Sequence, residues 1–147
     1  LYHERYILAM RADHPLAGRP RVSWHEAAAH PLCLLSDEMQ NRRILDRLAA
    51  SLSVVLRPAI VSNSFLGVCA HLRQGGYASI VPHTFRHLFG GTQDLAMPDL
   101  VDPPHAQAVG LVLSDRDPLP PMASALYRAV LKGGLESAIA DAVRPRG

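Results

Sequence analysis

The apolar positions change period along the chain, and each change marks an element. "RYILAM", Arg5 to Met10, is an unbroken apolar run of strand length, and the "RADHPLAGRPRVS" that follows is rich in turn formers. Ser23 stands three residues before Glu26, the capping-box spacing, which predicts a short helix to about Ala29. Pro31 ends that helix, and "LCLL" predicts the next strand. In "NRRILDRLAASL", Ile44, Leu45, Leu48 and Leu52 share one helical face, with Arg42, Arg43, Asp46 and Arg47 on the solvent side. "VVLRPAIVS" reads as a strand in which Pro58 implies an edge position or a bend. Ser62 or Asn63 can then cap a helix whose buried face is Phe65, Val68, Cys69 and Leu72. Gly75-Gly76 stops it, and "YASIVP" is a further strand.

After His83 the chain reads as irregular through "GGTQDLAMPDLVDPPHAQ", with one short strand near Leu95. "AVGLVLS", Ala108 to Ser114, predicts a strand, and a helix follows from about Met122 to Leu131 with Ala123, Leu126, Tyr127 and Val130 on its buried face. Gly133-Gly134 breaks that helix, "LESAIADAV" predicts a last one, and the "RPRG" tail is expected to fray. Strands alternating with helices in the order β-α-β-α-β-α-β predict an α/β sheet with crossover connections.

Composition narrows the function. A chain of 147 residues that is 48% apolar can bury a core, and its net charge of +2 comes from scattered arginines with no basic run to track a phosphate backbone. Cys33 and Cys69 lie in apolar runs without metal or redox spacing, so both read as buried reduced thiols of a cytoplasmic protein. No apolar run approaches the roughly 18 residues of a membrane span. The start "LYHERYILAM" lacks both an export signal and an initiator Met, which suggests a fragment of a longer protein.

Candidate chemistry is sparse. In "HEAAAH" the histidines His25 and His30 stand five apart, roughly 140° around a helix, so they cannot share a zinc as an i, i+4 pair would. His83 and His87 do have that spacing, with His105 or Asp94 as conceivable third ligands, but solvated loop histidines are the simpler reading. Neither Ser36 nor Ser64 lies in a nucleophile elbow. Nothing in the pattern calls for a cofactor, a metal or catalysis. More informative are the polar residues that follow three apolar strands: "SDEMQNR" after "LCLL", "SNS" after "AIV" and "PHT" after "SIV". In an open α/β sheet, ligands sit at the carboxyl ends of strands, where helix N-termini present unpaired N–H groups. Taken singly, each such residue is more often a helix cap than a ligand contact; three in register make a shared crevice an even reading.

In order and spacing, "ERYILAMRADHPLAGRPRVSWHEAAAHPLCLL", "ILDRLAASLSVVLRPAIVSNS", "HLRQGGYASIVPHTF" and "AVGLVLSDRDPLPPMASALYRAVL" resemble the C-terminal effector-binding region of LysR-type transcriptional regulators. The resemblance runs from about Leu1 to Leu131, with residues 132–147 a C-terminal helix and tail. It implies a periplasmic-binding-protein-like (type 2) fold of two α/β lobes, of which this chain would hold the second lobe, about 20–105, and the C-terminal part of the first. Residues 5–10 and 108–114 would be the hinge strands. The implied function is to bind a small effector, an organic acid or other anion, and so to alter how a homodimer or homotetramer sits on promoter DNA. DNA would be held through a winged helix-turn-helix outside this chain. Ligand positions that carry over are Asn63, Ser64 and Phe65 at a helix start and Val81, Pro82 and His83 at a strand end, with Arg42 as a candidate if it turns inward. A solute-binding protein or small enzyme on the same two-lobed fold is the alternative.

Overall fold

A computed structural model describes residues 1–89 and 93–142. The glycines and threonine of "GGT" and the "RPRG" tail lie outside the described residues.

The chain opens with β1 (Tyr2–Arg11), longer than its apolar run. β2 (Arg21–Ser23) leads into α1 (Trp24–Ala28), then β3 (Leu32–Leu35), α2 (Gln40–Ser51) and β4 (Pro58–Ser62). α3 (Phe65–Gln74), β5 (Ala78–Pro82) and α4 (Phe85–Phe89) follow, then the short strands β6 (Leu95–Ala96), β7 (Asp99–Val101) and β8 (Ala106–Val109). α5 (Pro121–Lys132) and α6 (Leu135–Ala142) close the described chain. The strands form one mixed sheet in the order β2-β7-β1-β5-β3-β4, with β6 and β8 also paired to β1. β5 lies antiparallel to β1, from Tyr6 opposite Pro82 to Met10 opposite Ala78, while β3 runs parallel to both β5 and β4.

Period-two alternation splits the core between the two faces of this sheet. Tyr6, Leu8 and Met10 pack with Leu32, Leu34 and Ile80 against Trp24 and Ala27 of α1 and Leu45, Leu48 and Ala49 of α2. Ile7 and Ala9 point the other way with Cys33, Leu35 and Val81, under Val68, Cys69 and Leu72 of α3 and Phe85 of α4. The result is a helix–sheet–helix sandwich. Both cysteines are buried free thiols, and burial pushes their pKa values up, so neither is a poised thiolate.

Several expectations meet the structure directly. Pro58 begins an edge strand, where its missing N–H leaves no ladder bond unmade. Gly75 and Gly76 end α3 with φ of 85° and 81°, and Arg11 Nη1–H donates to the Gln74 carbonyl at that terminus. Other expectations need correction. β8 ends at Val109, because its pairing with β1 runs from Arg5 opposite Ala106 to Tyr2 opposite Val109, and residues 110–114 then have no partner strand among the described residues. The α5 face of Leu126 and Tyr127 is exposed, since no described element covers it. β2 and β7 escape a periodicity reading because three residues carry no period; they exist through mutual parallel pairing, Arg21 opposite Asp99.

The capping box forms as its spacing predicts. Ser23 Oγ accepts the Glu26 N–H at 3.2 Å, and Glu26 Oε2 accepts the Ser23 N–H at 2.9 Å. The Arg19 guanidinium, with the Ser23 donors behind it, holds the Glu26 carboxyl down at about 2. A carboxyl depressed in the folded state stabilises it above the ordinary carboxylate range and loses that effect as pH falls towards 2. Ser23→Ala should therefore lower stability by about 1 kcal/mol in urea unfolding at neutral pH. The difference from the parent should shrink on acidification.

Candidate functional site

The chain passes from β3 through α2 to the edge strand β4, then crosses back through α3 to β5 on the far side of β3. β3, β4 and β5 are parallel, so their carboxyl ends open on one edge, at the point where the direction of winding reverses. "SDE", "SNS" and "PHT" follow the carboxyl ends of these three parallel strands. The Ser36 N–H donates to the Ser62 carbonyl at 2.9 Å, tying the first two ends together. The N-termini of α2 and α3 face the same edge.

The start of α3 is built differently from the expected cap. Ser64 occupies the N-cap position, and no side chain caps the helix. Ser62 instead closes a local turn: its Oγ accepts the Ser64 N–H at 3.3 Å and donates to the Ser64 carbonyl at 3.1 Å. Gly67 leaves room for that hydroxyl, because a β-carbon there would collide with Ser62 Oγ. The first turn of α3 keeps its N–H groups free of side-chain acceptors.

Beside this edge lies a cavity of about 680 Å³. Phe65 and Leu66 of α3, Pro82, and Phe85, Leu88 and Phe89 of α4 give it an apolar wall, and Ala138, Ile139 and Ala142 of α6 face them. Its polar positions are Glu4, Asn41, Thr84 and His87. Glu4 Oε1 accepts hydrogen bonds from Thr84 Oγ1 at 3.1 Å and Tyr2 Oη at 3.3 Å, which fixes the carboxylate across the β1–β5 junction.

Of the residues singled out in the sequence, Phe65, Pro82 and His87 line the cavity. Ser64 is half-buried beside it at the helix start, and Asn63 is exposed. Val81 is 2% exposed and belongs to the core beneath α3, because β5 alternates and Val81 points away from the rim. His83, at 4% exposure, is not a solvated loop residue. Its Nδ1 accepts the Arg5 N–H at 3.1 Å and its own N–H donates to the Arg5 carbonyl at 2.8 Å, extending the β1–β5 ladder by one residue. Arg42 turns in rather than to solvent, but towards protein groups. Its Nε donates to both Asp46 carboxylate oxygens at 2.8 and 2.9 Å, and its Nη1 donates to the Leu35 carbonyl at 2.8 Å. It braces the end of β3 to α2.

Sequence reading missed Glu4 and Leu66, and reached Asn41 and Thr84 only as members of "SDEMQNR" and "PHT". Glu4 had a signal: Tyr2 and Glu4 are half-buried while His3 and Arg5 are exposed, a strand alternation that begins before the apolar run. Among the described residues no group of three or more His, Cys, Asp or Glu could hold a metal, and no helix is long and apolar enough to cross a membrane.

Burial lowers the His83 pKa, with the Arg5 and Arg86 charges adding to it and Glu4 opposing. The folded state thus favours neutral imidazole, and its stabilisation, complete above the ordinary imidazole range, is lost as pH falls through it. His83→Asn retains an acceptor for the Arg5 N–H but cannot titrate. Chemical unfolding between about pH 7 and pH 5 should show a shallower loss of stability in this variant. His14, whose pKa burial also lowers, supplies residual slope.

The profile of the LysR substrate binding domain family matches residues 1–134. A comparison with curated proteins found no match. Among solved structures, a mutant of Corynebacterium glutamicum OxyR superposes with a TM-score of 0.76 at 22% identity, over 97% of this chain and 43% of its own. The effector binding domain of QuiR in complex with shikimate gives 0.72 at 18% identity, over 91% of this chain and 63% of its own. The regulatory domain of Synechocystis PCC6803 CcmR in complex with 2-PG gives 0.67 at 18% identity, over 90% and 65%. The chain therefore spans less than about two thirds of each of these relatives. At such identities the likeness establishes the fold, the periplasmic-binding-protein-like type 2 α/β architecture.

Proposed function

The chain belongs to the LysR substrate binding domain family, and from that membership and the geometry of the strand ends we propose that it is the effector-sensing part of a transcriptional regulator. The observation that carries this reading is the convergence of three strand ends and two helix N-termini on one edge, next to a cavity of about 680 Å³ with an apolar wall. Phe65, Leu66 and Pro82 supply contact area, and Ser64 and Asn41 supply polar contacts. An organic acid or other anion is the effector class that the two helix starts favour, by about 0.3 to 1 kcal/mol each. The protein senses this molecule rather than transforming it.

In this reading β1 and β8 are the strands that cross between two lobes, residues of about 20–105 form the second lobe, and ligand binding shifts the balance between open and closed arrangements. A homodimer or homotetramer in the cytoplasm conveys the shift to promoter DNA through a separate winged helix-turn-helix. Arg42 and His83 act as supports: one holds the end of β3 to α2, the other holds β5 to β1.

Calorimetric titration of mono- and dicarboxylic acids tests the site. Once an acid is found to bind, Phe65→Ala should weaken it, and Ser64→Ala should cost about 1 kcal/mol of affinity for a lost hydrogen bond with little change in unfolding. Unchanged affinity in both variants would place the effector elsewhere.

A further inference from the structure

The carboxylate of Glu4 lines a cavity whose wall is mostly apolar. No Lys, Arg or His pairs with it among the described residues, whereas Asp13, Glu26, Asp46, Asp94 and Asp99 all have arginine partners. Thr84 and Tyr2 both donate to Oε1, and no hydrogen bond among the described residues reaches Oε2. Those two donors, one from β1 itself and one from the turn after β5, position the side chain. A positioned carboxylate beside apolar side chains, with Oε2 open to an incoming molecule, favours a partner that brings a donor, above all a positive one.

We infer that Glu4 determines specificity at this cavity by receiving the ammonium group, or more weakly the hydroxyl group, of an apolar-bodied organic acid. This inference rests on the effector reading above and narrows its ligand class to amino acids, then hydroxy acids, with a large apolar substituent. Phe65 and Phe85 provide the wall for the substituent, and Thr84, another polar position of the cavity, is already turned to Glu4. An acid without a donor would bring a second negative charge near Glu4 with no hydrogen bond to offset it.

Three probes share one ring and one carboxylate and differ at a single substituent: L-phenylalanine, 3-phenyllactate and 3-phenylpropanoate. Calorimetry or ligand-detected NMR with the 147-residue chain should rank them in that order, with L-phenylalanine ahead of 3-phenylpropanoate by about tenfold or more. Glu4→Gln keeps an oxygen for Thr84 and Tyr2 but removes the charge, and should erase most of the ammonium preference while the affinity for 3-phenylpropanoate stays level or rises. Far-ultraviolet circular dichroism and the unfolding midpoint of the variant separate a lost charge from a lost fold, and Glu4→Asp should recover part of the preference. Equal binding of all three probes, or a preference for 3-phenylpropanoate that Phe65→Ala weakens, would overturn the role of Glu4 and leave the effector reading standing. Binding that neither Glu4→Gln nor Phe65→Ala alters would overturn both, as would no binding of any probe together with no organic acid bound in the wider titration.

Discussion

Everything in this fold takes its position from the half of β1 between Tyr6 and Met10. These five residues are buried, with β5 along one edge and β6 and β7 along the other, and their side chains alternate between the two halves of the core. A slip of one residue would exchange Leu8 for Ile7 and Ala9 and invert both packing layers together, so the register is fixed by burial on two sides at once. The ends of β3, β4 and β5 can open on one edge only because β5 is held in that register.

The site inherits this rigidity through polar contacts at the strand ends. The mutual hydrogen bonding of Arg5 and His83 carries the β1–β5 ladder past Pro82. The bond from Ser36 to the Ser62 carbonyl does the same for β3 and β4, and Arg42 fastens the Leu35 carbonyl to α2. Arg42 and His83, whose chemistry would suit ligand contacts, are here engaged with protein groups.

Much of the sandwich was legible in the sequence, because α1, α2, α3 and the strands between them each combine a period with a punctuating residue. Ser23 and Glu26 announced a helix start, and Gly75-Gly76 a helix stop, through local geometry that depends on nothing distant. The site was legible at the level of segments and less so at the level of side chains. Which of Val81 and Pro82 faces the rim depends on strand phase, and whether Arg42 meets solvent or Asp46 depends on a neighbour one helical turn away. Glu4 and Thr84 lie far apart in the chain and meet only through antiparallel pairing, which no local pattern encodes. The α5 face shows the converse: its helical period is clear, yet nothing in the described chain covers it.

β1 is also two strands in one. From Tyr6 onward it is sealed between helices, whereas Tyr2 to Arg5 pairs with β8, whose residues are mostly exposed, and meets the β5 side through Glu4 and Arg5. Opening free energies in proteins follow such differences in burial, so amide protons in one continuous strand should exchange with solvent on two timescales. The boundary falls between Arg5 and Tyr6, next to the carboxylate that faces the cavity. A molecule seated there would touch the compliant segment while leaning on the stiff one, and its arrival would be felt first as a loss of fraying.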